Sequence, residues 1–441
     1  MIRRPAHENS RAPSIKSFLK ERKKNKEKEG KGKKKEGKEF MKEKKPKKKP
    51  TKLRIALRVI LCTLGLIVLL AAIYVISVFV RYHRIPDNQV LTVSPDPFVY
   101  SKMDRVPPQR KIVEPGDTTY SIMSYNIGFG AYTQDYSFFM DGGKYSRARS
   151  RDGLIENLQN IGQMLFDRDA DFVLLQEVDE DGTRSWHVDE RSYMIGGADP
   201  FQHVYARNFD SPFLLWPLNE PHGANKSGLL TMSDAYISSA VRRSLPVSKS
   251  ITKIVDLDRC YTVTHIPIGN TKIPLRGVDT DIPAPEKELV IYNVHLSAYG
   301  MDDSVRDAQV SMLLEDMKAE YEKGNYVICG GDFNHNLRTG STSQAPDWAQ
   351  PFPFEKLPGA FHFAYQDLTG NPGDAGSVPS AIIDHDTCRN ADEAYNPATT
   401  FTVMADGFIV SDNVEVVYYE NVDLQYAYSD HDPVYMEFRL K

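Results

Sequence analysis

Five short segments place polar, chemistry-capable residues at the ends of apolar runs: SYNIGFG (124–130), LLQEVD (174–179), NVHLSAYG (293–300), GGDFNHN (330–336) and YSDHDPV (428–434). Together they supply Asn126, Glu177, His295, Asp332, Asn334, Asp430 and His431. Carboxylates, amides and imidazoles are present and thiolates are not. Such an oxygen-rich set suits a hard cation, Mg2+ first and Mn2+ or Ca2+ next, better than zinc. Loops at strand ends are where a rigid scaffold usually presents catalytic groups. A histidine held by a carboxylate adds a proton carrier near neutral pH.

The elements that must position these residues are readable from periodicity. Leu154, Leu158, Ile161 and Leu165 have helical spacing, and the apolar run 171–178 follows as a strand. Residues 288–297 read as a strand, 305–321 as a helix, and 326–334, 402–411 and 414–422 as further strands. This mixture predicts an α/β domain whose sheets are covered by helices. Repeats at solenoid periods are absent.

In this order and spacing the five motifs resemble the endonuclease/exonuclease/phosphatase superfamily, which includes deoxyribonuclease I, abasic-site endonucleases, neutral sphingomyelinases and inositol-polyphosphate phosphatases. The resemblance covers about residues 116–441. It implies a four-layer α/β sandwich, two mixed β-sheets packed face to face with helices outside. It also implies a Mg2+-dependent phosphodiesterase site. Glu177 is then the principal metal ligand, with Asn126 and Asp430 beside it. Asp332 and Asn334 orient the attacking water and bind phosphate oxygen. His431 is the general base or polarising imidazole, oriented by Asp406 of ADGFIVS. His295 is the second catalytic histidine, and Asn126, Asn208 and Asn334 face the substrate. Alone, each has a plainer reading: a turn for Asn126, a Gly-Gly-Asp turn for Asp332, a structural strand-end histidine for His295. His385, between Asp384 and Asp386, reads as a polar loop. Arg306 and Gln309 read as structural. Phe209, Phe213 and Trp216 read first as core, with a substrate rim or a membrane contact as the alternatives.

Charge divides the chain. Residues 1–60 hold 24 Lys/Arg against 7 Asp/Glu, a net of +17, while residues 85–441 hold 29 against 52, a net of −23. The Lys-rich segment 1–56 is expected to be a disordered tail, because it has too little apolar surface to fold. The 22 residues from Val59 to Val80 carry no charge. At about 1.5 Å per residue they reach roughly 33 Å, enough for a bilayer core. Residues 57–81 therefore read as a transmembrane helix, 82–115 as a Pro-containing linker, and 116–441 as the catalytic domain. Lysine before the helix and acid after it predict a single-pass protein with a cytoplasmic N-terminus and an extracytoplasmic domain. Four cysteines match no zinc motif. Cys329 reads as buried filler, and a Cys260–Cys388 disulfide stays open.

The implied substrate is a phosphodiester: a lipid headgroup, a small phosphoester or nucleic acid. An anchored domain faces lipid constantly, which favours the first two. An extracytoplasmic nuclease is the alternative, and the net of −23 counts against it, since duplex binding needs Lys and Arg to displace counterions. A catalytically inactive binding module is disfavoured because every expected catalytic residue type is present. The bilayer is the implied partner, and nothing in the sequence calls for an obligate protein partner.

Overall fold

The computed structural model describes residues 51–94, 110–195, 201–248, 257–269, 286–298, 303–338, 348–368 and 381–441. The Lys-rich segment up to residue 50 lies outside them. The chain divides into two compact units, Met1–Leu69 and Leu70–Lys441. Helix α1 (Lys52–Arg81) has no buried residue, and by length and composition it is a candidate membrane span.

In the second unit, strands with alternating and continuous apolar runs assemble two seven-stranded mixed sheets. The first runs β1 (Gln89–Val90), β6 (Ser239–Ser244), β7 (Cys260–Pro267), β8 (Glu288–His295), β9 (Tyr326–Asp332), β14 (Asp406–Ser411) and β10 (Phe361–Phe363). The second runs β11 (Ala381–Ile382), β15 (Val414–Asn421), β16 (Val434–Leu440), β2 (Tyr120–Asn126), β3 (Phe172–Gly182), β5 (Asn225–Ser233) and β4 (Gln202–Asp210). Tyr120, Ile122, Phe172 and Leu174 of the second sheet share one buried apolar cluster with Cys329, Phe408 and Ile409 of the first. Outside lie α2 (Arg151–Arg168), the short α3 (Arg191–Ile195) and α4 (Asp303–Glu322). This is the expected sandwich.

Helix α2 begins where the Ser150 hydroxyl caps the Gly153 N–H at 3.1 Å. It buries Leu154, Leu158, Ile161 and Leu165, the four positions with helical spacing. Helix α4 buries Val310, Leu313, Leu314 and Met317. Between the sheets a buried amide network adds to the apolar filling. Gln176 donates to Asn293 Oδ1 at 2.8 Å, and Asn293 donates to Leu175 O, Leu230 O and Thr231 Oγ1, each at 3.2 Å.

The structure adds detail to three of these readings. The run 402–411 is two strands, β13 (Thr402–Val403) and β14, because the Thr387 hydroxyl takes both the Ala405 and Asp406 N–H groups and breaks the ladder. Cys260 and Cys388 are free thiols: Cys260 lies 4.0 Å from Arg207 O and Cys388 lies 3.4 Å from His431. Of the expected linker 82–115, residues 95–109 lie outside the described residues, while β1 is an edge strand on β6 and Lys111 and Val113 bridge to Ala235 and Ile268.

Candidate active site

Three strands of the first sheet end in register. His295 of β8 lies opposite Asp332 of β9, and Asp332 lies opposite Asp406 of β14. A row of His, Asp and Asp therefore forms at one sheet edge from residues 37 to 111 positions apart in sequence. Gly331 allows it: a β-carbon there would overlap the Val294 carbonyl, so only glycine lets β9 approach β8 this closely.

The second sheet brings its own strand ends to the same place. Asn126 of β2 pairs with Gln176 of β3, and its amide donates to Asp332 Oδ2 at 3.1 Å. Glu177 follows in a bulge, with φ of 53°. Strain of this kind at a non-glycine residue persists only where the surroundings enforce it. Asn157 of α2 donates to Gly130 O at 2.9 Å and to Tyr428 O at 2.7 Å. That tie holds the SYNIGFG and YSDHDPV loops together. The Ser429 hydroxyl adds a bond to Asn126 O at 2.8 Å.

The centre is dense and buried. His431 Nδ1 meets Asp406 Oδ2 at 2.8 Å, and its Nε2 stands 3.7 Å from Asp332 Oδ2. His295 Nε2 stands 3.4 Å from the same oxygen. Asn334 donates its N–H to Asp332 Oδ1 at 2.8 Å and its amide to Oδ2 at 3.0 Å. Burial alone would lower the His431 imidazole, but the Asp406 and Asp332 carboxylates, the first through a hydrogen bond as well, hold it well above its ordinary value. Burial raises Asp332, with His431 opposing and Asp406 adding. Burial lowers His295, and the charges of Arg259, His431 and Arg184 lower it further. One imidazole is thus poised as cation and the other as neutral.

Glu177 and Asp430 make contacts of their own. Glu177 has Arg184 as an ion partner, at 3.9 Å, and Asp430 takes the Ser429 hydroxyl at 3.2 Å. Burial raises the Glu177 carboxyl, Arg184 opposes, and Asp430 adds to the rise. A half-buried like-charge pair beside the Asn126 amide fits a hard divalent cation, which would neutralise both. Asp332, Asp406 and His431 also bring ligand-capable atoms within 4.8 Å of one another. Within that trio His431 Nδ1 and Asp406 Oδ2 are already bonded to each other, at 2.8 Å.

Two arginines of the site carry no signal in the sequence. Arg184 grips Asp179 (Nη2–Oδ1 2.7 Å, Nε–Oδ2 3.1 Å), and its guanidinium stacks 4.0 Å from the Phe129 ring centroid. Arg259 is buried just before β7, and its Nε and Nη1 have no partner among the described residues. Asn208 continues the buried row of Val204 and Ala206, and both atoms of its amide lack a partner among the described residues as well. The Arg259 charge acts on His295 and Glu177, and a buried guanidinium left unpaired beside such a site suits an anionic ligand.

Outside this centre, His385 and Gln309 make structural contacts. His385 Nε2 bonds Asp432 at 2.7 Å, and Gln309 holds the Ser297 N–H and hydroxyl. Phe209 is buried, whereas Phe213 and Trp216 are exposed, which overturns core packing for those two.

A model of the endonuclease/exonuclease/phosphatase family matches residues 123–431, from β2 through His431. The chain belongs to that family. Solved structures with the family's fold are similar to it at low identity. A family member from Beutenbergia cavernae aligns at 15% identity and TM-score 0.46, over 74% of this chain and 72% of its own. One from Bacteroides vulgatus gives 16% and 0.45, over 74% and 100%. Truncated Caenorhabditis elegans TDP2 gives 15% and 0.42, over 73% and 97%. No curated protein matches the sequence.

Proposed function

We propose that this family member is a membrane-anchored, Mg2+-dependent phosphodiesterase acting on a lipid headgroup or a small phosphoester. The observation that carries the reading is the in-register row His295–Asp332–Asp406 with His431 bonded to Asp406. A phosphodiester repels hydroxide, so hydrolysis needs an oriented water, a proton acceptor and stabilisation of the charge on the phosphoryl oxygens. Mg2+ held by Glu177 with Asn126 and Asp430 would supply Lewis-acid stabilisation of the phosphoryl and leaving oxygens. Asp332 orients the water and accepts its proton, with His431 beside it as the polarising imidazole, whose tautomer Asp406 fixes and whose cation it stabilises. Asn334 is held on Asp332, where its position suits a phosphate oxygen. Neutral His295 donates to the phosphate, and the unpaired donors of Arg259 and Asn208 bind its remaining oxygens.

The helix Lys52–Arg81 serves as a signal anchor, with the Lys-rich tail in the cytoplasm and residues 85–441 outside. A domain with a net of −23 suits substrates presented at a membrane more than duplex DNA. The full-length chain in detergent should hydrolyse a bis-aryl phosphodiester with Mg2+ and not with chelator. In a panel of sphingomyelin, phosphoinositides, plasmid DNA and RNA it should favour a lipid. Preference for plasmid DNA would reverse the substrate assignment, and chelator-resistant turnover would remove the metal.

A further inference from the structure

Residues 211–224 join β4 to β5, and the first nine of them, SPFLLWPLN (211–219), carry no charged side chain. Four large apolar groups on this loop face outward: Phe213 is 43% exposed, Leu215 39%, Trp216 67% and Leu218 74%. Soluble surfaces scatter such groups singly, and a cluster on one short loop marks an interaction surface.

The loop's backbone is closed in a way that water-facing loops do not require. Leu214 and Gly223 exchange both backbone hydrogen bonds, at 2.9 and 3.0 Å. The Tyr74 hydroxyl donates to Phe213 O at 3.2 Å and accepts the Leu215 N–H at 3.0 Å. Pro212, Pro217 and Pro221 have no N–H to satisfy. Few exposed donors and no charge keep the desolvation penalty small where water is scarce.

Tyr74 says what covers the loop. It belongs with the loop to the unit Leu70–Lys441, and it is a residue of the candidate span α1. It stands seven residues before Arg81, the charged end of that helix, so about 10 Å along its axis. Just past the helix the chain is already tied to the domain. Arg84 pairs with Asp258 at 2.8 Å and donates to Leu245 O at 3.0 Å, and the Ile85 N–H bonds Asp258. Between Arg81 and Arg84 there is no spacer that could lift the loop away.

We infer that the loop 211–219 sits in the interfacial layer of the same bilayer that α1 crosses, with Phe213, Leu215, Trp216 and Leu218 among the lipid chains. The inference rests on α1 being a membrane span. An indole at the headgroup boundary keeps its N–H wet and its ring apolar, which suits Trp216. The far end of the loop borders the site. Glu220 takes the Ser146 N–H at 2.8 Å, His222 meets Ser146 O at 2.8 Å, and the Ala148 N–H bonds Arg184 O at 2.9 Å. An inserted loop therefore holds the wall beside Arg184 and Glu177 at headgroup level, where a lipid phosphodiester reaches it without leaving the membrane.

The test uses the full-length chain in phosphatidylcholine vesicles, with Trp186→Phe and Trp348→Phe leaving Trp216 as the sole one of three tryptophans. Emission is read with and without acyl-brominated phosphatidylcholine and with aqueous iodide, after an alkaline carbonate wash. The chain should stay in the washed vesicles, with Trp216 emission blue-shifted, mostly lost to the brominated lipid and little changed by iodide. Retained protein whose Trp216 is quenched by iodide and not by brominated lipid overturns the insertion and leaves the membrane span standing. Protein lost in the wash overturns both. If the double variant does not fold, Trp216→Ser in the otherwise natural chain gives the complementary readout. The lipid-quenchable share of emission should vanish, and its persistence overturns the inference.

Discussion

Asp332 is the residue on which the site turns: it accepts from Asn126 and Asn334, faces both imidazoles and neighbours Asp406 across the strands. Groups this entangled lose activity non-additively. His431→Ala should cost about 10²–10⁴-fold in phosphodiester turnover. Asp406→Asn should cost less, and the double variant should be little worse than His431→Ala, because Asp406 acts through the imidazole. Additive losses would dissolve the pairing. Glu177→Gln should abolish most turnover and weaken its Mg2+ dependence, since a neutral amide is a poorer ligand for a hard dication. An unchanged Mg2+ titration in that variant would remove Glu177 from the metal site.

At the scale of elements, the site depends on two sheets holding one register. Asn293 is the clamp, with three donor contacts and one acceptor contact across the inter-sheet space. Asn293→Ala strands those partners in the core, and thermal unfolding should show a loss of about 2–3 kcal/mol. A loss under about 0.5 kcal/mol, the size of an ordinary surface change, would mean the clamp is incidental. The wall formed by residues 146 and 222 has its own pH signature. Burial, with Arg184 assisting, pushes the His222 imidazole down to about 4, against about 6.5 in an unfolded chain. The folded state therefore favours the neutral ring, and its contribution is full above about pH 6.5 and lost as pH falls toward 4. The whole effect is about 3 kcal/mol. Unfolding measured from pH 7 to 4 should fall less steeply in His222→Phe, and parallel curves for the two proteins would exclude this source.

At the scale of the whole molecule, charge and hydropathy set orientation. A tail of +17 before an uncharged run of 22 residues should stay cytoplasmic, because translocating clustered lysine is unfavourable. Protease added to intact cells should digest residues beyond the helix and leave an epitope in residues 1–50 intact. Digestion of that epitope in sealed cells would invert the topology. The negative second unit and positive first segment also predict different partners, anionic leaflets for the tail and neutral lipid for the loop 211–219.

The sequence by itself determined a great deal here. Five motifs in order, each closing an apolar strand, were sufficient for the family and the sandwich, because strand alternation and strand-end chemistry are local. The uncharged run from Val59 to Val80 was legible for the same reason: length and composition are local properties. Tertiary structure decided the rest. Period-two alternation tells which face a residue takes but not which strand lies beside it, so the His295–Asp332–Asp406 row appears only with the ladder. Asp406 itself begins a strand that periodicity merged with β13, since a hydroxyl from Thr387, about twenty residues away in sequence, does the splitting. Arg259 looks like any arginine before a strand until its guanidinium is seen buried without a partner among the described residues. The run from Phe209 to Trp216 reads as core by composition. Only the hairpin that turns Phe213 and Trp216 outward, while burying Phe209, separates packing from surface, because exposure is a property of neighbours distant in the chain.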